Sequence, residues 1–176
     1  MRNLLMLDLC CGLKGASAAM QDRAWRVITL DIDPCFNPDI VADVRTWSWR
    51  GDKPDLIWAS PPCDEFSREF MPWSRIGKKP DLSIVEGCKR IIGESNPRYW
   101  IIENTRGAVL YLGKPAAVLY PYYLWGFFPV LPDCKPNFPH KELLSSTMAA
   151  ERARIPYKLS ALIADAIERA NLLFEF

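Results

Sequence analysis

The chain has 176 residues, 49% of them apolar, and a formal net charge of +1. That content closes one core and little more, so a single domain spanning residues 1–176 is expected, and a near-neutral balance is uninformative for a nucleic-acid partner, whose basic patch would have to be local. No run of eighteen apolar residues exists to cross a membrane, and the N-terminus leads into a strand pattern without a cleavage-site signature, so a soluble cytoplasmic protein is expected.

In chain order, strand and helix signals alternate. Short, apolar segments at 3–9, 26–30, 40–42, 55–59 and 98–102 are strands of the kind covered on both faces. Helices fit between them at 16–23 and 82–94, the second opened by Asp81 as N-cap after Pro80. This order predicts an α/β fold, doubly wound around a mostly parallel sheet.

From 107 to 150 the pattern changes to an irregular segment rich in proline, glycine and aromatics. Within it, residues 119–129 read as a strand pair that closes one edge of the sheet, and 132–148 as loop. The aromatics suit base stacking, but a core role is the commoner use of such residues. The last helix is the clearest element. Leu159, Leu162, Ile163, Ala166, Ile167 and Ala170 follow helical spacing, with Pro156 near its start, which makes it a core-packing helix.

In sheets of this kind ligands bind beyond the carboxyl ends of the strands. The first strand ends in Asp8-Leu-Cys-Cys-Gly-Leu-Lys-Gly15, a glycine turn that lets a ligand approach the backbone and opens a helix. The second ends in Asp31-Ile-Asp33, where nucleotide-binding sheets grip ribose hydroxyls, and the third in Asp43. Together these features suggest a ligand containing adenosine. The turn has no GK[ST] sequence, which disfavours a triphosphate.

The fourth strand runs directly into Ser60-Pro-Pro-Cys-Asp-Glu-Phe-Ser67, so Cys63 is presented by a rigid double-proline turn. The fifth ends in Glu103-Asn104, which brings a carboxylate to the same sheet edge. A thiol nucleophile facing an acid outlines a reaction site. After Cys63, Arg68, Arg75, Lys78 and Lys79 alternate with Phe66, Phe70, Met71 and Trp73, a local basic patch diluted by Asp64, Glu65 and Glu69. The six cysteines, at 10, 11, 35, 63, 88 and 134, have no CxxC spacing and His140 is the lone histidine, so no metal site is expected.

The order of these motifs resembles that of the cytosine-C5 DNA methyltransferases, which use S-adenosylmethionine. The family's Asp-x-Phe-x-Gly-x-Gly-Gly motif is similar to Asp8–Gly15, with Cys10 in place of phenylalanine and Lys14 in place of a glycine. Its Pro-Cys-Gln-x-Phe-Ser motif is similar to Pro62–Ser67 with Asp64 in place of glutamine, and its Glu-Asn-Val motif to Glu103-Asn104-Thr105.

The resemblance implies that Asp8, Cys10, Gly12, Gly15 and Pro61 border the cofactor, that Asp31 holds the ribose, that Ile32 packs on the adenine, and that Asp43 accepts from its amino group. It implies Cys63 as nucleophile toward cytosine C6 and Glu103 as the group that holds N3 and the exocyclic amine. Pro62, Ser67 and Asn104 would stand on the substrate side, and Arg152 and Arg154 would echo the family's Gln-x-Arg-x-Arg motif there. The implied partner is DNA, with RNA as the alternative.

The resemblance covers roughly the first 110 residues. No room remains for a separate target-recognition domain, so recognition is expected from the 64–80 loop, the 107–150 segment, a partner subunit or a homodimer. Two other readings stay open. One is an amino-group methyltransferase acting on cytosine N4 or adenine N6, whose signature resembles Ser60-Pro61-Pro62-Cys63 but needs an aromatic residue after the prolines. The other is a non-catalytic, methyltransferase-like nucleic-acid-binding module.

Overall fold

A computed structural model of the chain describes residues 3–67, 79–132, 151 and 153–172. Its centre is β1 (Leu5–Leu9), five residues buried without exception. An alternating side-chain pattern cannot be polar on either side here, because helices cover both faces. Met6 joins the core on one side, and Leu7 and Leu9 join the core on the other.

Seven strands form one sheet in the order β3-β2-β1-β4-β5-β7-β6. The parallel strands are β2 (Arg26–Asp31), β3 (Ile40–Val41), β4 (Leu56–Ala59) and β5 (Tyr99–Asn104). An antiparallel hairpin, β6 (Ala117–Leu119) and β7 (Tyr122–Phe127), completes it. This is the strand pair expected from the aromatic segment, with β7 seated against β5 and β6 at the edge. Strand order reverses at β1, between β2 and β4, so the crevice beyond their ends lies where the turns after β1 and β4 diverge.

On one face, α1 (Ala18–Asp22) and the long α5 (Tyr157–Leu172) pack over Met6, Trp58, Ile101 and Leu124. On the other, α3 (Ser83–Ser95) covers Ile57, Ala59 and Ile102 through Val85, Cys88 and Ile91. Asp81, expected as the N-cap, stands one residue before the observed cap Leu82, and its Oδ1 accepts from the Ser83 amide at 2.8 Å. Short helices α2 (Asp64–Ser67) and α4 (Val109–Leu112) follow β4 and β5. Among the described residues no helix is long and apolar enough to cross a membrane.

Several boundaries differ from expectation by one or two residues, and two of them have a clear structural cause. The first helix begins at Ala18, not 16, because residues 11–17 are spent in turns, and it ends early where Ala24 adopts a φ of +57°. β5 runs two residues further than its apolar run, because β7 supplies partners for Glu103 and Asn104 in Leu124 and Tyr123. Most of the basic patch after Cys63 and of the 132–148 loop, with Cys134 and His140, falls outside the described residues.

Candidate active site

The turn after β1 is tight. Cys10, Gly12 and Lys14 all have positive φ, at +55°, +47° and +57°. That conformation costs a non-glycine residue roughly 1–2 kcal/mol, so it persists only where neighbours enforce it. The Lys14 amide donates to the Cys11 carbonyl at 2.7 Å, and its ammonium reaches across to the Asn37 carbonyl. The Gly12 amide donates to Asp31 Oδ2 at 2.9 Å, tying the turn to the end of β2.

Gly15 is required for a different reason. A Cβ there would collide with the Ile155 backbone, so the segment leading into α5 lies directly on the glycine. Ser160 of α5 completes the brace, donating to the Ala16 carbonyl at 2.7 Å and accepting from the Ala19 amide at 3.1 Å. The closing helix therefore packs the core and also shapes the turn.

A cleft of about 500 Å³ opens above this turn. Of the residues singled out from sequence, Cys10, Gly12, Gly15, Asp31, Ile32, Asp43, Pro62, Cys63 and Arg154 line it. The glycine turn, the acids after β2 and β3, and the cysteine after β4 thus share one cavity. Arg154, expected on the nucleic-acid side, instead stands beside Gly15 in this cavity. Arg152 lies outside the described residues.

Asp8, Pro61, Ser67, Glu103 and Asn104 are not part of the lining. Asp8, expected to border the cofactor, is fully buried under the turn, with Oδ2 accepting from the Ser17 hydroxyl at 2.6 Å and Oδ1 without a partner. Burial raises its pKa to about 7. Asn104 and Pro61 are likewise buried and bonded to each other, so Asn104 braces the proline turn. The Ser67 amide donates to the Cys63 carbonyl at 2.8 Å, closing the first turn of α2.

Cys63 itself is half-buried, at the start of α2. Phe66, buried and packed on Tyr111 with ring centroids 5.8 Å apart, anchors that helix. Glu65 accepts from the Asp81 amide at 3.2 Å, which turns its carboxylate toward the start of α3. Glu103 is half-buried. Because Ala59 pairs with Ile102, Glu103 sits level with Ser60 on the next strand, two peptides from Pro62. Its charge adds to burial in raising Tyr122 to about 12.

The other cysteines of the turn are held as thiols. Cys10 is pushed up by its bond with the Cys88 thiol and by burial, and Cys11 rises to about 12 through burial and the charge of Asp8. Sequence reasoning overlooked Phe36 and Arg45, both in the cleft wall. Phe36 is placed by a short 3-10 turn whose cap is Asp33, accepting from the Cys35 amide at 2.9 Å. The Asp-Pro start of that turn was its readable signal.

Strand order, glycine turn and strand-end acids make this a doubly wound, mostly parallel α/β sheet with a cleft beyond the carboxyl ends of its central strands. Its motifs resemble those of the cytosine-C5 DNA methyltransferases. The chain is 32% identical to the "Probable DNA (cytosine-5)-methyltransferase" of Frog virus 3 (isolate Goorha), over 56% of this chain and 52% of that protein. It spans about half the length of this curated relative. No family model matches. Solved structures similar to it include Entamoeba histolytica methyltransferase EhMeth, with 16% identity, a TM-score of 0.46 and coverage of 61% of this chain and 39% of that one. Another is a mutant of Spodoptera frugiperda DNMT2, with 20% identity, a TM-score of 0.40 and coverage of 60% and 36%.

Proposed function

We propose that this chain transfers a methyl group from S-adenosylmethionine to C5 of cytosine in DNA, through a covalent bond between Cys63 and C6. The observation that carries the reading is the sharing of one cleft by the glycine turn, Asp31 and the half-buried Cys63. The residues present fit the cofactor. Ile32 and Phe36 offer apolar faces for a purine, Asp31 offers acceptors for ribose hydroxyls, and Gly12 leaves the backbone open.

When bound, the cofactor supplies an electrophilic methyl on a sulfonium centre. Cytosine C5 is a poor nucleophile until the Cys63 thiolate adds to C6, which moves the ring's electron pair onto C5. Glu103, at the sheet edge beside the proline turn, is assigned to hold N3 and the exocyclic amine as charge builds on the ring. C5 then takes the methyl, loses its proton to a base, and regains its double bond as the Cys63 sulfur leaves. A cytosine in duplex DNA has to be flipped out of the stack to reach the cleft. Asn104 supports this chemistry indirectly, by fixing the turn that carries the thiol.

Recognition of the target is assigned to the segments flanking the cleft, to a partner subunit or to a second copy of the chain. The test is methylation of cytosine-containing duplex and single-stranded DNA with labelled cofactor, followed by digestion to nucleosides. We expect 5-methylcytosine; N4-methylcytosine or N6-methyladenine, or cofactor binding with no transfer to DNA or RNA, would overturn the reading.

A further inference from the structure

The cleft wall after β3 holds a feature that an adenosine pocket does not need. Asp43 accepts four contacts from one residue, Arg45: the backbone amide to Oδ1 at 2.9 Å, Nε to Oδ1 at 3.0 Å, Nε to Oδ2 at 2.9 Å and Nη2 to Oδ2 at 2.6 Å. Three N–H groups of Arg45, one shared between both oxygens, crowd the roughly four acceptor positions of the carboxylate and leave little access for a ligand amine. Both residues line the cleft, and both side chains remain partly exposed, at 26% for Asp43 and 46% for Arg45.

We propose that Arg45 sets the affinity and base selectivity of the cleft, by holding the Asp43 carboxylate until a purine amine displaces it. This rests on the adenosine-cofactor reading given above. The pair is open to water, which discounts its worth, although its bidentate geometry puts it at the strong end of exposed ion pairs. The guanidinium also has somewhere to go, since the Asp81 carboxylate at the start of α3 adds a second negative charge near it. Asp43 keeps its place when Arg45 leaves, because its own carbonyl anchors the following turn through the Thr46 and Trp47 amides at 3.0 and 2.9 Å.

The consequence is a competition that distinguishes purines. An amine at position 6 can replace the guanidinium as donor to Asp43, whereas a 6-oxo group presents an acceptor to a carboxylate and is rejected. Removing the guanidinium frees the acceptor for the amine and does nothing for the oxo group.

The test is isothermal titration of the full chain and of Arg45→Ala with S-adenosylhomocysteine and with S-inosylhomocysteine, its 6-oxo counterpart. Arg45→Ala should bind S-adenosylhomocysteine about five-fold tighter, the upper range for an exposed ion pair, with no gain for the 6-oxo ligand. Unchanged or weaker binding of S-adenosylhomocysteine by the variant, or an equal gain for both ligands, overturns the proposal. Absence of S-adenosylhomocysteine binding by both proteins refutes the adenosine reading of the cleft itself, and the proposal with it.

Discussion

The side-chain amide of Asn104 donates to the backbone carbonyl of Pro61 at 2.9 Å, and its Oδ1 accepts from the Thr105 amide at 2.8 Å. One buried side chain therefore joins the end of β5 to the double-proline turn that presents Cys63. Proline turns lack amides with which to tie themselves to a sheet, so a donor from the neighbouring strand takes that task.

Asn104→Ala leaves the Pro61 carbonyl without this partner inside the protein. An unpaired buried polar group costs about 1–3 kcal/mol, so the variant should unfold at lower urea with an unchanged m-value. It should also lose methyl transfer by more than its stability loss explains, because the thiol is no longer aimed. A urea midpoint equal to that of the parent chain would contradict the bracing role.

Asp8 should make stability depend on pH. Its pKa rises from 3.8 in the unfolded chain to about 7 in the fold. A raised acid is a favourable contribution only while both states are protonated, so the fold is best off below pH 4 with respect to this group and loses ground as pH climbs through 7. The full swing is on the order of 4 kcal/mol. Asp8→Asn should flatten the stability profile between pH 4 and 7 and raise stability at pH 8. Denaturation series at several pH values check this, and parallel profiles for the two proteins would reject it.

Gly15→Ala should displace the Ile155 backbone from the turn, since a Cβ has no space there. Ser160→Ala removes the buried hydroxyl that serves both the Ala16 carbonyl and the Ala19 amide, at a cost of about 1–3 kcal/mol. Both variants should show lower thermal midpoints and weaker S-adenosylhomocysteine binding. Retention of parent affinity in both would separate α5 from the cleft.

Brief alkylation of the folded chain at pH 8 should spare Cys10, Cys11 and Cys88. The first two are raised in pKa and the third is fully buried. Cys35, exposed although its bond with Asp33 raises its pKa, and the half-buried Cys63 are the described thiols expected to react. Peptide mapping by mass spectrometry reads the result, and rapid labelling of Cys10 or Cys11 would contradict their placement.

Much of the sheet was legible because its strands are short, apolar and bounded by turn residues, as at 55–59 before Ser60-Pro61. The acids at 31 and 43 were legible for a similar reason: an acid that ends or closely follows a strand stands at the sheet's carboxyl edge. What escaped was set by tertiary contacts. The burial of Asp8 was not legible, because it follows from the position of its side chain inside a fully buried strand. Asn104 looked like part of a substrate surface, and only the register between β4 and β5 shows it meeting Pro61. Arg45 gave no signal, since an arginine two residues from an aspartate is an ordinary loop pattern until its guanidinium is seen on that carboxylate.

The central claim is that the Cys63 sulfur bonds to cytosine. Incubation of the chain with cofactor and DNA containing 5-fluorocytosine blocks loss of the group at C5 and should trap a denaturant-resistant complex, mapped by mass spectrometry to Cys63. Cys63→Ala should form none while binding S-adenosylhomocysteine as the parent does. A trapped complex in Cys63→Ala, or efficient 5-methylcytosine formation by that variant, would contradict the account.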